Sequence, residues 1–264
     1  MRNNNIDKGN SFDWGRASKD YAKYRDIYPR EFYEGIIDLG LCVEGQNVLD
    51  LGTGTGVLPR NMYCWGAKFI GADISANQID EARKISAEND MDIEFVVSSA
   101  ENINFPANSF DVVTACQCHI YFDKNVVLNK ISNVLKSQGH FCVLWMGWLP
   151  YEDKIAMASE TLVLKYNPSW SGGNAVRPNI EDTKAMWSNS LFEVKEIKIY
   201  DLKVPFTRES WHGRIKACRG VGASTLSQKE IEQFESEHLQ MLNIMPETFE
   251  ILHFVTVIDL QKRI

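Results

Sequence analysis

The stretch Val48-Leu49-Asp50-Leu51-Gly52-Thr53-Gly54-Thr55-Gly56-Val57 restricts the folding of this chain more than any other part of it. A short apolar run leads into glycines at alternate positions and then into a helical period, so the backbone has to leave a buried strand, turn sharply and enter a helix. Gly52 permits the tight turn, Gly54 lets a ligand approach the backbone, and Gly56 allows the helix to pack closely. The amides that open that helix, with the positive end of its dipole, suit an anionic group.

The surrounding sequence keeps the same rhythm. From Asn47 to about Gly147, β-branched runs alternate with helical periods, the pattern of stacked strand–helix–strand units on a parallel sheet. Strands are predicted over Asn47–Leu51, Lys68–Asp73, Ile93–Ser98, Phe110–Cys116 and His140–Met146, each apolar enough to be covered on both faces. Ser75-Ala76-Asn77-Gln78 reads as a capping box that starts a helix at Ala76, with Ile79, Ala82 and Ile85 recurring along it. Lys124–Lys136 places Val127, Leu128, Ile131 and Leu135 on one helical face, and Gly139 closes that region. After Pro150, helices are expected over Asp153–Lys165, Ile180–Ser188, Glu209–Gly220 and Gln228–Met241, strands over Phe192–Val204 and Thr248–Leu260, and a loop over Asn167–Pro178. The expected architecture is one α/β domain with a helical cover over residues 1–45 and a ligand-binding core over 46–150. Over 151–264, an antiparallel completion of the sheet carries helices as a lid over its carboxyl edge.

Two acids accompany the glycine loop. Asp50 precedes Gly52 on the same strand, and Asp73 ends the next one. A carboxylate at Asp73 can accept two hydrogen bonds from a ribose diol; its structural alternative, a helix cap, is already supplied by Ser75 and Gln78. The loop spacing is Gly-x-Gly-x-Gly, whereas dinucleotide folds usually carry Gly-x-Gly-x-x-Gly. An acid just before the loop would repel a pyrophosphate but suits the ammonium of an amino-acid-like ligand, whose own carboxylate can meet the loop amides. S-adenosylmethionine (SAM) is such a ligand.

Val48–Val57 with Asp73 resembles the first two motifs of class I SAM-dependent methyltransferases of the small-molecule type. The likeness continues through Ser98-Ser99-Ala100-Glu101…Phe105-Pro106, Ser109-Phe110-Asp111-Val112-Val113 and Leu135-Lys136-Ser137-Gln138-Gly139. It includes the amino-terminal pattern Asp13…Tyr21…Tyr24-Arg25…Tyr28-Pro29. The resemblance implies a Rossmann-like, doubly wound, seven-stranded sheet with an antiparallel last strand. It also implies SAM contacts from Asp50, Gly52, Thr53, Gly54, Gly56, Asp73 and Ile74, with the adenine edge near Ser99, Ala100 and Glu101. Gln117 falls where the family lines the sulfonium and acceptor pocket. The usual acid beside Ala100 is replaced by Ser99.

Other chemistries are argued against by composition. The formal charge is −7 and no Lys/Arg run exceeds two residues, so a nucleic acid partner is not expected. Met1–Gly15 lacks the apolar core of a secretory signal, and the longest apolar run, Phe141–Pro150, is too short to span a bilayer. The six scattered cysteines read as free thiols of a cytoplasmic protein. Cys116, Cys118 and His119 lack the Cys-x-x-Cys spacing of a zinc site, so they are not expected to hold a metal.

Methyl transfer is an in-line displacement, so the protein has to align donor and acceptor and exclude water; a base helps only where the acceptor keeps its proton. His119 and Tyr121, just past the fourth strand, are the candidates. No Asn/Asp-Pro-Pro-Tyr/Phe follows that strand and no Pro-Cys pair offers a thiolate, which leaves a small-molecule acceptor. Trp145, Trp148, Tyr151, Trp170, Trp187 and Trp211 read either as its pocket or as core. If Phe206–Arg219 is helical, Arg208, His212, Ile215 and Arg219 share a face. That segment loosely resembles the substrate-side helix of methyltransferases acting on trans-aconitate. It suggests an anionic acceptor held by Arg208 or Arg219, with Arg25 closing over donor or acceptor, against the alternative of a solvated basic face. The rival functions are a non-catalytic SAM- or nucleotide-binding protein and a nicotinamide-dependent oxidoreductase.

Overall fold

A computed structural model describes residues 6–173 and 175–263. The first five residues of the amino-terminal segment and Asn174 of the Asn167–Pro178 loop lie outside the described residues. Among the described residues the strands are β1 (Asn47–Leu51), β2 (Lys68–Asp73), β3 (Glu94–Val97), β4 (Phe110–Cys116), β5 (Leu135–Trp148), β6 (Phe192–Thr207) and β7 (Thr248–Lys262). The helices are α1 (Ser18–Tyr24), α2 (Arg30–Ile37), α3 (Val57–Met62), α4 (Ala76–Glu88), α5 (Lys124–Val134), α6 (Lys154–Tyr166), α7 (Ile180–Trp187), α8 (Arg208–Lys216) and α9 (Gln228–Asn243). The strands form one mixed sheet in the order β3-β2-β1-β4-β5-β7-β6, with an antiparallel last strand. β1 is parallel to β2 on one side and to β4 on the other, so the chain switches direction of travel across the sheet at β1 and β4. Ligands of open α/β sheets bind at the carboxyl ends of the strands flanking such a switch. No helix among the described residues is long and apolar enough to cross a membrane.

The chain divides into two compact units. One comprises Tyr28–Met146, Pro178–Tyr200 and Val255–Ile264. Its core is the apolar face that Leu49, Leu51, Val113, Ala115, Phe141 and Val143 of the parallel strands turn towards Val127 and Ile131 of α5, Trp187 of α7 and Phe192 of β6. A smaller cluster packs Ile79 and Ala82 of α4 on Phe95 of β3.

Two local expectations are corrected here. α4 begins at Ala76 as expected, but the Ser75 side chain makes no cap bond. Instead the Ser75 amide donates to Asp73 Oδ1 at 2.8 Å, so the turn into the helix is held by the acid before it. Gly139 likewise does not close a helix. α5 gives way directly to β5 at Leu135, and the pairing with β4 slips between Phe110 and Val112. Gln138, at φ +61°, takes the left-handed position of that irregularity. A side chain at Gly139 would come within 3.0 Å of the Lys136 carbonyl oxygen, so close backbone approach requires the glycine.

The other unit comprises Met1–Ile27, Gly147–Arg177 and Asp201–Phe254. It is tied together by buried polar contacts. Trp211 Nε1 donates to Ser159 Oγ at 2.9 Å, and Ser159 Oγ lies 2.9 Å from His238 Nε2, whose Nδ1 lies 2.9 Å from His212 Nδ1. Burial holds the pKa of both histidines down, so the pair is neutral near neutral pH.

The expected shared face of Arg208, His212, Ile215 and Arg219 is also corrected, because α8 stops at Lys216. The Gly222 amide turns back to the Lys216 carbonyl and Val221 to Cys218, which carries Arg219 out of the helix. Arg219 forms a buried pair with Asp7, its Nε donating to Oδ2 at 2.6 Å. Arg208 donates to the Met245 and Pro246 carbonyls just past α9 and lies 3.5 Å from Glu247.

Candidate functional site

The candidate site is built from the carboxyl ends of β1, β2, β3 and β4, within the first unit. Gly52, Gly54 and Gly56 have φ values of +63°, +58° and +73°. All three lie in the left-handed region, where a side chain is strained. A Cβ on Gly52 would sit 2.7 Å from Cys118 Cβ, and one on Gly56 would sit 2.8 Å from Phe95 Cζ. The loop is held by the Thr53 amide donating to the Ala72 carbonyl, Gly54 to Asp73 Oδ2, and Gly56 to the Thr53 carbonyl. α3 is only six residues long, so its dipole adds little and the loop amides matter more.

Asp73 therefore bridges two backbone segments, accepting from Gly54 at 2.9 Å and from Ser75 at 2.8 Å. Burial pushes its pKa up, and the two amide bonds oppose that rise. Each oxygen keeps capacity for a further donor. Next to it, Ile74 is 52% exposed and Val97, paired with Asp73 across the strands, is 51% exposed. Two large apolar side chains facing water at adjacent strand ends form a surface suited to a flat ring.

Asp50 lies deeper. It is 1% exposed, and its Oδ1 accepts from Thr114 Oγ1 at 2.7 Å across the β1–β4 pairing. Burial pushes its pKa up to about 7. The folded value lies above the ordinary carboxylate range, so the protonated form favours folding and stability is lost as pH rises towards and through about 7. Asp50→Asn should remove that loss. In urea unfolding at about pH 5.5 and about pH 8, the wild type should lose on the order of 2 kcal/mol more than the variant across the interval. Equal losses would show that Asp50 is ionised in the folded protein throughout.

Ser99 precedes the short turn Ala100–Asn102, and its Oγ accepts from Asn102 Nδ2 at 3.0 Å. Ala100 is buried, and Glu101 Oε1 accepts from the Asp123 amide at 3.0 Å, fastening the start of α5. Gln117 has φ +62°, a conformation sparsely populated by residues other than glycine. Its amide donates to the Leu144 carbonyl at 2.9 Å and its side chain donates to the Met146 carbonyl, so both bonds fix the strained turn.

His119 opens the turn His119–Tyr121. Its ring centroid lies 5.5 Å from that of Trp145 and 5.6 Å from that of Trp187. Nδ1 is buried without a hydrogen-bond partner among the described residues, and burial, with the nearby Lys124 charge, holds the pKa down to about 4. Tyr121 packs its side chain against the core. Arg25 belongs to the other unit, where its guanidinium lies over the Tyr21 ring, 4.7 Å from the centroid.

Some residues of the site carry no sequence signal. Cys118 fills the space above Gly52 and donates its thiol to the Leu51 carbonyl at 3.0 Å. Thr114 holds Asp50, and the Thr55 hydroxyl is buried without a partner among the described residues. Of the tryptophans, Trp145 and Trp187 flank His119, while Trp148, Trp170 and Trp211 lie in the other unit.

Residues 43–199 match the family model described as a methyltransferase domain. The Bacillus subtilis protein named uncharacterized methyltransferase YcgJ is 26% identical over 203 residues, covering 74% of this chain and 76% of that protein. Its crystal structure superimposes with a TM-score of 0.57 at 22% identity, over 89% of this chain and all of the other. A Dictyostelium discoideum protein named as a methyltransferase is 29% identical over 50% of this chain and 48% of its own length. A ubiquinone biosynthesis O-methyltransferase of Bradyrhizobium diazoefficiens is 30% identical over 54% of this chain and 56% of that protein. The chain thus spans about half the length of these last two relatives.

Proposed function

The chain belongs to the methyltransferase domain family, and on that premise we propose that it binds SAM at the glycine loop and transfers the methyl group to a small-molecule acceptor. The observation that carries this reading is Asp73, anchored on the Gly54 amide beside the exposed Ile74 and Val97. The donor set fits the group: a carboxylate for a ribose diol, an apolar surface for adenine, and glycines that leave the loop backbone open. Ser99, Ala100 and Glu101 would border the adenine edge. Asp50 and Thr53 would face the amino-acid end, and Gln117 the acceptor side. SAM supplies a methyl group on a cationic sulfonium, and the protein orients the partners and keeps water away.

His119 is the base of this proposal. Its imidazole is neutral near neutral pH and lacks a partner at Nδ1, whereas Tyr121 is engaged in packing. The relative named as an O-methyltransferase supports oxygen as the methylated atom. Arg208 and Arg219 both have partners within the chain, so an anionic acceptor draws little support from them. The six scattered cysteines, with no Cys-x-x-Cys pair among them, support the proposed cytoplasmic location.

A thermal-shift panel with SAM, S-adenosylhomocysteine, NAD and NADP tests the reading. SAM and S-adenosylhomocysteine should each stabilise the fold, by about 2.7 kcal/mol at a hundredfold excess over Kd, and the nicotinamides should not. Stabilisation by NAD or NADP alone would replace it with the oxidoreductase reading. Binding of SAM without turnover of labelled donor on any acceptor would favour the non-catalytic one.

A further inference from the structure

Resting on the methyl-transfer reading, we infer that the acceptor is a hydroxyl compound with a flat apolar body, a phenol or enol, whose O–H meets His119 Nδ1 beside Trp145 and Trp187. The turn carrying His119 follows β4 at the switch point of the sheet, where ligands of such folds bind. Its ring stands edge-on to Trp145 at an interplanar angle of 75° and tilted by 60° to Trp187. Trp145 is half-buried and Trp187 is buried, so one indole remains accessible to a flat ligand.

A buried polar atom without a partner destabilises the fold unless a ligand or water supplies the missing bond. The chemistry of Nδ1 narrows what that ligand can be. In one tautomer of the neutral ring it is a lone pair and in the other an N–H. A hydroxyl satisfies both. A carboxylate satisfies only the second, and would bring charge against the indoles. An ammonium satisfies only the first and has no lone pair to methylate. It would also meet the Lys124 cation, which lies 4.4 Å from the Trp187 ring centroid.

The chemistry follows from the same geometry. The hydroxyl oxygen bonds to the methyl carbon as the carbon–sulfur bond breaks, and the electron pair of that bond stays on sulfur. The O–H proton passes to Nδ1, and the imidazolium, with a pKa of about 4, gives up a proton to water through its other ring nitrogen. A base with a pKa of about 4 cannot ionise a phenol, ordinarily near 10, in advance. The proton therefore moves only as the new C–O bond makes it acidic, which is general-base assistance in the transition state.

The test uses the full chain with SAM and four probes: 2-naphthol, 4-nitrophenol, tryptamine and 2-naphthoate. The wild type should methylate 2-naphthol on oxygen, and His119→Gln should lower its kcat about 100-fold with SAM affinity unchanged. With 4-nitrophenol at alkaline pH, where the hydroxyl is already ionised, the same variant should stay within a few-fold of wild type. Calorimetry should show 2-naphthol binding to the protein loaded with S-adenosylhomocysteine, weakened about tenfold by Trp145→Leu. Three results would overturn the inference: an equal loss with both phenols in His119→Gln, turnover of tryptamine or 2-naphthoate in preference to 2-naphthol, or binding of neither phenol by a protein that binds SAM. If SAM itself does not bind, the methyl-transfer reading fails first and this one with it.

Discussion

Replacing Asp73 with alanine is expected to weaken SAM binding at least 100-fold. The carboxylate is proposed to receive two ribose hydroxyls, and hydrogen bonds to a charged group contribute about 1.5–3 kcal/mol each. Its loss also frees the Gly54 and Ser75 amides, so the loop loses its anchor at the point where the ligand would approach. Asp73→Asn keeps one acceptor and should fall between the two. Calorimetry on protein shown to be folded by its cooperative thermal transition measures the effect. Wild-type affinity in Asp73→Ala would remove the ribose role and leave Asp73 as a purely structural bridge.

Gly56→Val is expected to damage the fold itself. The residue has φ +73°, and a β-branched side chain there costs about 1–3 kcal/mol in backbone strain. Its Cβ would lie 2.8 Å from Phe95 Cζ and 3.4 Å from Ala82 Cβ, inside the small cluster that joins α4 to β3. Overpacking there adds about 1–3 kcal/mol. Together these should lower Tm by on the order of 10 °C. Phe95→Ala in the same background opens space next to position 56 and should recover part of the loss. A Tm within a degree or two of wild type would show that the helix does not depend on close packing at Gly56.

Much of this was legible in the sequence because it depends on local backbone demands and periodicity. The bounds of β1, β2 and β4 and the start of α4 and α5 coincide with those read from apolar runs and helical spacing. The left-handed conformations of Gly52, Gly54 and Gly56 follow from a strand that has to turn at once into a helix. Where two groups compete for one bond, the sequence was silent. Ser75 had the composition of a cap, yet the Asp73 carboxylate holds its amide, because β2 ends with that oxygen within reach.

The same limit applies to side chains brought together across the fold. Nothing in Asp50 indicates that Thr114 will hold it inside the sheet and push its pKa up to about 7; the β1–β4 register decides that. Arg208 and Arg219 looked like one cationic face until the turn through Gly222 separated them and gave each a partner far along the chain. His119 was a polar residue at a strand end, one of several. In the fold it lies beside Trp145 of β5 and Trp187 of α7 with Nδ1 buried, and burial, with the nearby Lys124 charge, lowers its pKa, because desolvation is a property of neighbours that sequence spacing does not encode. The sequence by itself determined the strand–loop–helix frame, since each residue's backbone preference acts locally. The tertiary structure alone decided which polar groups are buried, paired or left without a partner, since those states depend on contacts between distant segments.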